Sequence, residues 1–166
     1  MKRILTIFCL LLVATASAKN QPEWLKSAVI YHIYPSTYMD SDGNGIGDLK
    51  GITSRLDYIR SCGFNCIWMS PCFASAWEDG GYDIIDYYTV DPRFGTNEEL
   101  KTLIDTAHSK GIKVLLDLVA GHTSDKHPWF KESCKAERNQ YSDYYIWSVG
   151  KNYKKPGRKF VDNDYP

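Results

Sequence analysis

Residues 29–69, VIYHIYPSTYMDSDGNGIGDLKGITSRLDYIRSCGFNCIWM, spell a strand, a loop, a helix and a second strand. Val29 to Tyr34 is β-branched and aromatic, and Pro35, which lacks a backbone donor, closes it. Leu49, Ile52, Leu56 and Ile59 then recur at helical spacing, and Gly63 sits where a left-handed residue ends a helix. Asn65 to Met69 is a second short apolar run, stopped by Pro71. The same rhythm continues beyond it. Thr96-x-x-Glu99 is a capping box that opens a helix with Leu100, Leu103, Ile104 and Ala107 on one side, ending at Gly111. Val114 to Val119 (VLLDLV) is a nearly continuous apolar run.

Strand, helix, strand, helix, strand, with runs apolar on both faces, is the pattern of parallel βαβ units. Right-handed crossovers put both helices on one side of the sheet. Two α/β architectures fit: an open doubly wound sheet, or strands one to three of a (β/α)8 TIM barrel. No Gly-x-Gly-x-x-Gly joins the first strand to its helix, which weighs against dinucleotide binding. The polar, aromatic and acidic residues follow strand C-termini, where a barrel builds its active site.

The loop inside the opening unit carries chemistry of its own. Asp40, Asp42, Asn44 and Asp48 place side-chain oxygens at alternate positions among glycines, and the Ile46 carbonyl fills the remaining place. Hard cations such as Ca²⁺ gather six to eight oxygens from loops of this kind. An EF-hand requires Glu at the twelfth position, where this chain has Gly51, so the loop is of another type. A solvated Asp/Asn/Gly turn is the plain alternative.

Lys2 and Arg3, the apolar run Ile4 to Ala14, and Ala16-Ser17-Ala18 read as an export signal over residues 1–18, with the mature chain starting at Lys19. That run is shorter than the roughly 20 residues of a membrane span, and the mature chain has none. A secreted or periplasmic destination follows. With 20 basic and 20 acidic residues, nothing recommends nucleic acid or an anionic membrane as partner. Aromatic residues make up 14% of the chain, which fits a carbohydrate site and a well-packed core equally. Besides Cys9 in the signal, Cys62, Cys66, Cys72 and Cys134 allow three disulfide pairings, and no His cluster beside them suggests zinc.

From Gly121 to Pro166 the chain turns polar and aromatic, with no element longer than a turn or two. A stretch of this length suits a long excursion after the third strand, cut before its end.

Four segments in order, VIYHIYPSTYMDSDGNGIGDLKGI, IWMSPCF, GGYDIIDY with DPRFGTNEEL, and DLVAGHTSDKHPWF, resemble the α-amylase superfamily (glycoside hydrolase family 13), and its α-glucosidase and oligosaccharide-hydrolase members most. The resemblance runs from Trp24 to about Phe130. It implies residues 19–123 as the first part of the catalytic barrel and 124–166 as the beginning of the excursion domain. By the same resemblance Asp40, Asp42, Asn44, Ile46 and Asp48 hold a structural Ca²⁺, and Tyr82 stacks on the sugar ring at the cleaved position. His122 bonds one of that sugar's hydroxyls. Asp79 matches a position that holds the terminal glucose in exo-acting members, and it reads equally as a surface turn residue. Asp117 supports the site and, lying among apolar neighbours, needs a charged partner, in the family an arginine on a fourth strand. The family commonly has Asn where this chain has Gly121, so a second calcium between barrel and excursion is not expected.

The family's members are retaining glycosidases that use a carboxylate nucleophile and a carboxylic acid about 5–5.5 Å apart. By the resemblance both follow later strands, so no catalytic residue is assigned within these 166 residues, and this chain alone is expected to be inactive. Asp83 and Asp86 read as acids that shape the GYDIIDY loop. The implied activity is cleavage of α-glucosidic bonds in malto- or isomalto-oligosaccharides or starch-type glucans. A transglycosylating relative that processes trehalose or sucrose, and a non-catalytic transporter-associated homologue, are the alternatives. A calcium-binding adhesion module is disfavoured by the helix and strand rhythm.

Overall fold

The computed structural model describes residues 21–147. The export signal and the last part of the excursion, as read from the sequence, lie outside these residues. After a short 3₁₀ turn at Glu23–Ser27, the described chain forms β1 (Ile30–Ile33), α1 (Pro35–Tyr38), α2 (Leu49–Ser54), α3 (Leu56–Ser61) and β2 (Cys66–Met69). Then follow β3 (Phe73–Ser75), β4 (Ile84–Val90), α4 (Asn97–Ser109), β5 (Lys113–Leu116) and α5 (Pro128–Ser133).

β1, β2 and β5 make a parallel sheet in that order, with Ile33 beside Met69 and Met69 beside Leu116. The expected helices cover one face. Leu49, Ile52, Leu56 and Ile59 are fully buried with Leu103 and Ala107 against Ile33, Ile67 and Met69. The other face is open among the described residues: Ile30 is 42% and Trp68 39% exposed. In a closed barrel that face lines the interior.

Local signals set the helix ends. Thr96 accepts a hydrogen bond from the Glu99 N–H (3.2 Å), and the Glu99 carboxylate accepts one from the Thr96 N–H (2.9 Å), which is the predicted capping box. Gly63 adopts φ +90°, and its N–H donates to the Arg60 carbonyl, closing α3.

Three expectations need correction. The single helix expected after the Asp40–Asp48 loop is two short ones, because Arg55 leaves helical geometry (φ −102°, ψ 1°) while the buried face stays continuous. The third strand stops at Leu116, short of Val119; past it Leu118 is 74% exposed. The polar stretch before Thr96 contains an antiparallel hairpin, β3 with β4, whose irregular register and three-residue first strand leave no readable alternation.

Beyond β5 the only regular element in the described residues is α5, as the sequence implies. His127 opens it by accepting the Trp129 N–H at Nδ1 (3.0 Å), and its aromatic residues pack on those that follow. Trp129 lies edge-on to Tyr144, and Phe130 edge-on to Tyr145. Cys62, Cys66, Cys72 and Cys134 are all free thiols; burial pushes Cys72 up to about 11, so it stays protonated and inert.

Candidate functional site

The loop joining α1 to α2 folds on its own carboxylates. Asp40 Oδ1 accepts from the N–H groups of Asp42 (3.1 Å) and Gly43 (2.7 Å), and Oδ2 from Gly45 (2.8 Å). Asp42 accepts from the Asn44 N–H (3.0 Å) and Asn44 from the Ile46 N–H (2.8 Å), so each polar side chain caps the backbone two residues on. Asp48 is buried; it caps α2 through the Gly51 N–H (2.6 Å) and also accepts from the Ser41 N–H and hydroxyl. Two glycines are required by close approach: a Cβ on Gly47 would lie 2.2 Å from the Pro35 carbonyl oxygen, and one on Gly51 2.0 Å from that of Met39.

Asp40, Asp42 and Asp48 each bring a carboxylate oxygen within 4.8 Å of the others. This is about twice the usual Ca–O distance of 2.3–2.6 Å, the span of oxygens facing one another across an ion. Asp40 is held below the usual carboxylate range by the Gly45 N–H, helped by those of Gly43 and Asp42. Burial pushes Asp48 up, but the hydrogen bonds from Gly51 and Ser41 outweigh it and the net shift is downward. Asp40 and Asp48 are therefore held as anions, and the three carboxylates converge, which suits a hard cation. Asn44 is exposed and its amide donates to Asp42 (3.1 Å), while Ile46 is half-buried beside the group.

A second cluster forms where the C-terminal ends of β2 and β5 meet the loop after β3. The Asp117 N–H donates to the Met69 carbonyl (3.1 Å), which sets its side chain at the strand ends. The Tyr82 hydroxyl donates to Asp117 Oδ2 (2.9 Å). His122 Nε2 hydrogen-bonds the Tyr82 carbonyl (3.0 Å). Tyr82, Asp117 and His122, separated by up to 40 residues in sequence, thus share one end of the sheet. Asp117 raises the Tyr82 phenol's pKa by accepting its proton in a hydrogen bond, and burial adds to the effect. Asp117 is half-buried, and among the described residues the Tyr82 hydroxyl is a hydrogen-bond donor to it.

The loop that carries Tyr82 is built by Asp83. Its carboxylate accepts from the Ser75 hydroxyl (2.5 Å) and the N–H groups of Glu78 (2.9 Å) and Asp79 (3.3 Å). Burial raises the Asp83 pKa, but these bonds, Ser75 first, bring it below the usual range. Asp86 lies within β4 and accepts from the Thr89 hydroxyl and the Tyr88 N–H of the same strand. Asp83 thus shapes the loop, and the bonds of Asp86 stay within the strand that leaves it. Asp79 is exposed, and its carbonyl accepts the Tyr82 N–H (2.9 Å), so its backbone turns the loop while its side chain faces solvent.

Several contributors were not singled out from the sequence. The Tyr87 hydroxyl donates to the carbonyls of Val119 (2.7 Å) and His122 (2.9 Å), holding the chain after β5. Trp77 Nε1 donates to Asp91 (2.8 Å), and the Tyr34 hydroxyl to the Gly80 carbonyl (3.0 Å). All span 14 residues or more, and no local pattern announces them. A cleft of about 440 Å³ opens beside His122, walled by Tyr87, Leu118, Gly121, Trp129 and Tyr144 among others.

Comparison with known proteins gives a concordant result. The α-amylase catalytic-domain family matches residues 32–164. An oligo-1,6-glucosidase of Heyndrickxia coagulans is 53% identical over 125 residues, 75% of this chain and 22% of that protein. Trehalose-6-phosphate hydrolase of Bacillus licheniformis superposes with a TM-score of 0.73 at 46% identity, over 75% of this chain and 22% of that one. Trehalulose synthase of Pseudomonas mesoacidophila gives 0.75 at 44%, over 79% and 24%. The chain spans about a quarter of the length of the relatives it matches. β1, β2 and β5 are accordingly the first three parallel strands of a (β/α)8 barrel. The chain belongs to the α-amylase family, and residues 32–164 are part of its catalytic domain.

Proposed function

We propose that this chain is part of an exported glycosidase that cleaves α-glucosidic bonds of malto- or isomalto-oligosaccharides or starch-type glucans with retention of configuration. The observation that carries the reading is the junction of Tyr82, Asp117 and His122 at the C-terminal end of the parallel strands. The oligo-1,6-glucosidase relative supports the class of substrate.

In this reading the Tyr82 ring gives a flat apolar face to the C–H side of a glucose unit. Its hydroxyl is fixed on Asp117, so the ring is presented in one orientation. His122, with Nε2 engaged by the Tyr82 carbonyl, keeps Nδ1 for a sugar hydroxyl. Asp79, exposed on the same loop, accepts hydroxyls of a terminal glucose. These residues bind and orient; the nucleophile and the general acid come from other strands of the barrel.

Asp40, Asp42 and Asp48, with Asn44 and the Ile46 carbonyl, hold Ca²⁺ away from the reacting bond. The ion neutralises the converging carboxylates and fixes the loop between α1 and α2. Residues 1–18 direct export to the periplasm or medium, residues 19–123 form the first part of the barrel, and 124–166 begin the excursion. Trehalulose synthase, at 44% identity, favours a second reading in which another sugar replaces water as acceptor.

The test is an assay of the product of the complete reading frame on isomaltose, maltose and a chromogenic α-glucoside, with proton NMR of the first-formed sugar. Turnover with the α-anomer released first is expected. A β-anomer first, or no turnover on any α-glucoside, contradicts the proposal, and sucrose or trehalose converted without net hydrolysis selects the second reading.

A further inference from the structure

The loop carrying Tyr82 hangs on two consecutive glycines, Gly80 (φ +58°) and Gly81 (φ +100°), both in the region that residues with side chains avoid. Such a pair is a pivot, and a ring that must meet a sugar face needs the pivot fixed. Asp83, just past the pair, clamps the loop across it by accepting from Ser75, Glu78 and Asp79. On the pair itself, among the described residues, the side chain that bonds the backbone is that of Tyr34.

Tyr34 follows β1 directly, with φ −94° and ψ 105°, so strand alternation puts it on the same open face as Ile30 and His32. His32 is already engaged there, stacked on Trp68 (4.2 Å between centroids) and hydrogen-bonded to the Ser70 hydroxyl (2.9 Å). Tyr34 reaches farther. Its hydroxyl donates to the Gly80 carbonyl at 3.0 Å, across 46 residues of sequence. A Cβ on Gly80 would lie 3.4 Å from the same hydroxyl, so contact with the peptide is close. Tyr34 is 37% exposed, which leaves the bond at the mouth of the site.

We propose that Tyr34 is a positioning residue for the sugar site: its hydroxyl locks the Gly80–Gly81 pivot and thereby sets the plane of the Tyr82 ring. This rests on the reading of Tyr82 as the residue that stacks on glucose. Tyr34 directly follows the first barrel strand and Tyr82 lies in the segment after the second, so the bond also ties the two neighbouring connections into one rim.

The test uses the product of the complete reading frame, with 1-deoxynojirimycin as a glucose mimic and calorimetry as readout. Tyr34→Phe keeps the ring and removes only the donor, so the thermal midpoint should stay within about 2 °C while affinity falls about three- to tenfold. In a Tyr82→Ala background the same change should cost nothing further, because its effect passes through that ring. Unchanged affinity in Tyr34→Phe overturns the proposal, as does a loss of equal size in both backgrounds. If the wild-type protein fails to bind the mimic at all, the sugar-site reading itself is wrong, and the inference falls with it.

Discussion

The two loops that follow β1 and β2 are held in opposite ways. Residues 40–48 close on themselves: the bonds made by Asp40, Asp42, Asn44 and Asp48 span seven residues at most. Around Tyr82 the loop has a local frame in Asp83, but what aims the ring comes from far away, from Tyr34, Asp117 and His122, across 46, 35 and 40 residues. A self-closed loop can present converging anions before the barrel is complete. A loop anchored on neighbouring strands acquires its geometry only when those strands are packed.

This contrast predicts where damage travels. The largest effect is expected from Tyr82→Ala, which removes the stacking face together with the hydroxyl bond to Asp117, while the backbone carbonyl that His122 bonds is kept. The kcat/KM of the full reading-frame product on an α-glucoside should fall about a hundredfold, or about 2.7 kcal/mol, with the thermal midpoint nearly unchanged. A fall in stability instead of activity would mean that the ring is a packing residue. Asp48→Ala should do the reverse. It deletes the cap of α2 and the bonds from Ser41, for a loss of about 2 kcal/mol in unfolding free energy, and added Ca²⁺ should no longer raise the thermal midpoint.

Acid should separate the loops further. The folded pKa values of Asp40 and Asp48 lie below the usual carboxylate range. The stability they contribute is therefore fully present above roughly pH 4, where unfolded aspartates are ionised, and is lost as pH falls through the lower folded values. Ca²⁺-dependent stabilisation, followed by thermal melts from pH 6 downward, should disappear in that same acid window. Thr96→Ala gives the smallest effect, about 1 kcal/mol at the start of α4, without a change in KM, since its capping box is as local as the bonds of residues 40–48 and touches neither site.

Legibility in the sequence follows the same division. The alternating Asp/Asn/Gly run, the capping box at Thr96 and the helix-ending Gly63 are each set by neighbours within a few residues, so composition and spacing alone place them. The helix face of Leu49, Ile52, Leu56 and Ile59 was readable because burial follows a fixed period, even though Arg55 divides the helix. The β3–β4 hairpin escaped because three residues of strand with a shifted register carry no period. Tyr34, Tyr87 and Trp77 escaped because their partners are distant backbone carbonyls or a remote carboxylate. Tyr82, Asp117 and His122 were named through family resemblance; the three-dimensional contacts add that they meet. For Asp117 the contacts add a second partner: the resemblance implies an arginine from a fourth strand, and within these residues the Tyr82 hydroxyl donates to it.

If Tyr82 and His122 face one glucose-sized subsite, a co-crystal of the full reading-frame product with 1-deoxynojirimycin should show it. The ligand ring is expected parallel to the Tyr82 face, with a hydroxyl about 3 Å from His122 Nδ1. A ligand bound elsewhere in the barrel, with Tyr82 and His122 contacting only protein, would contradict it.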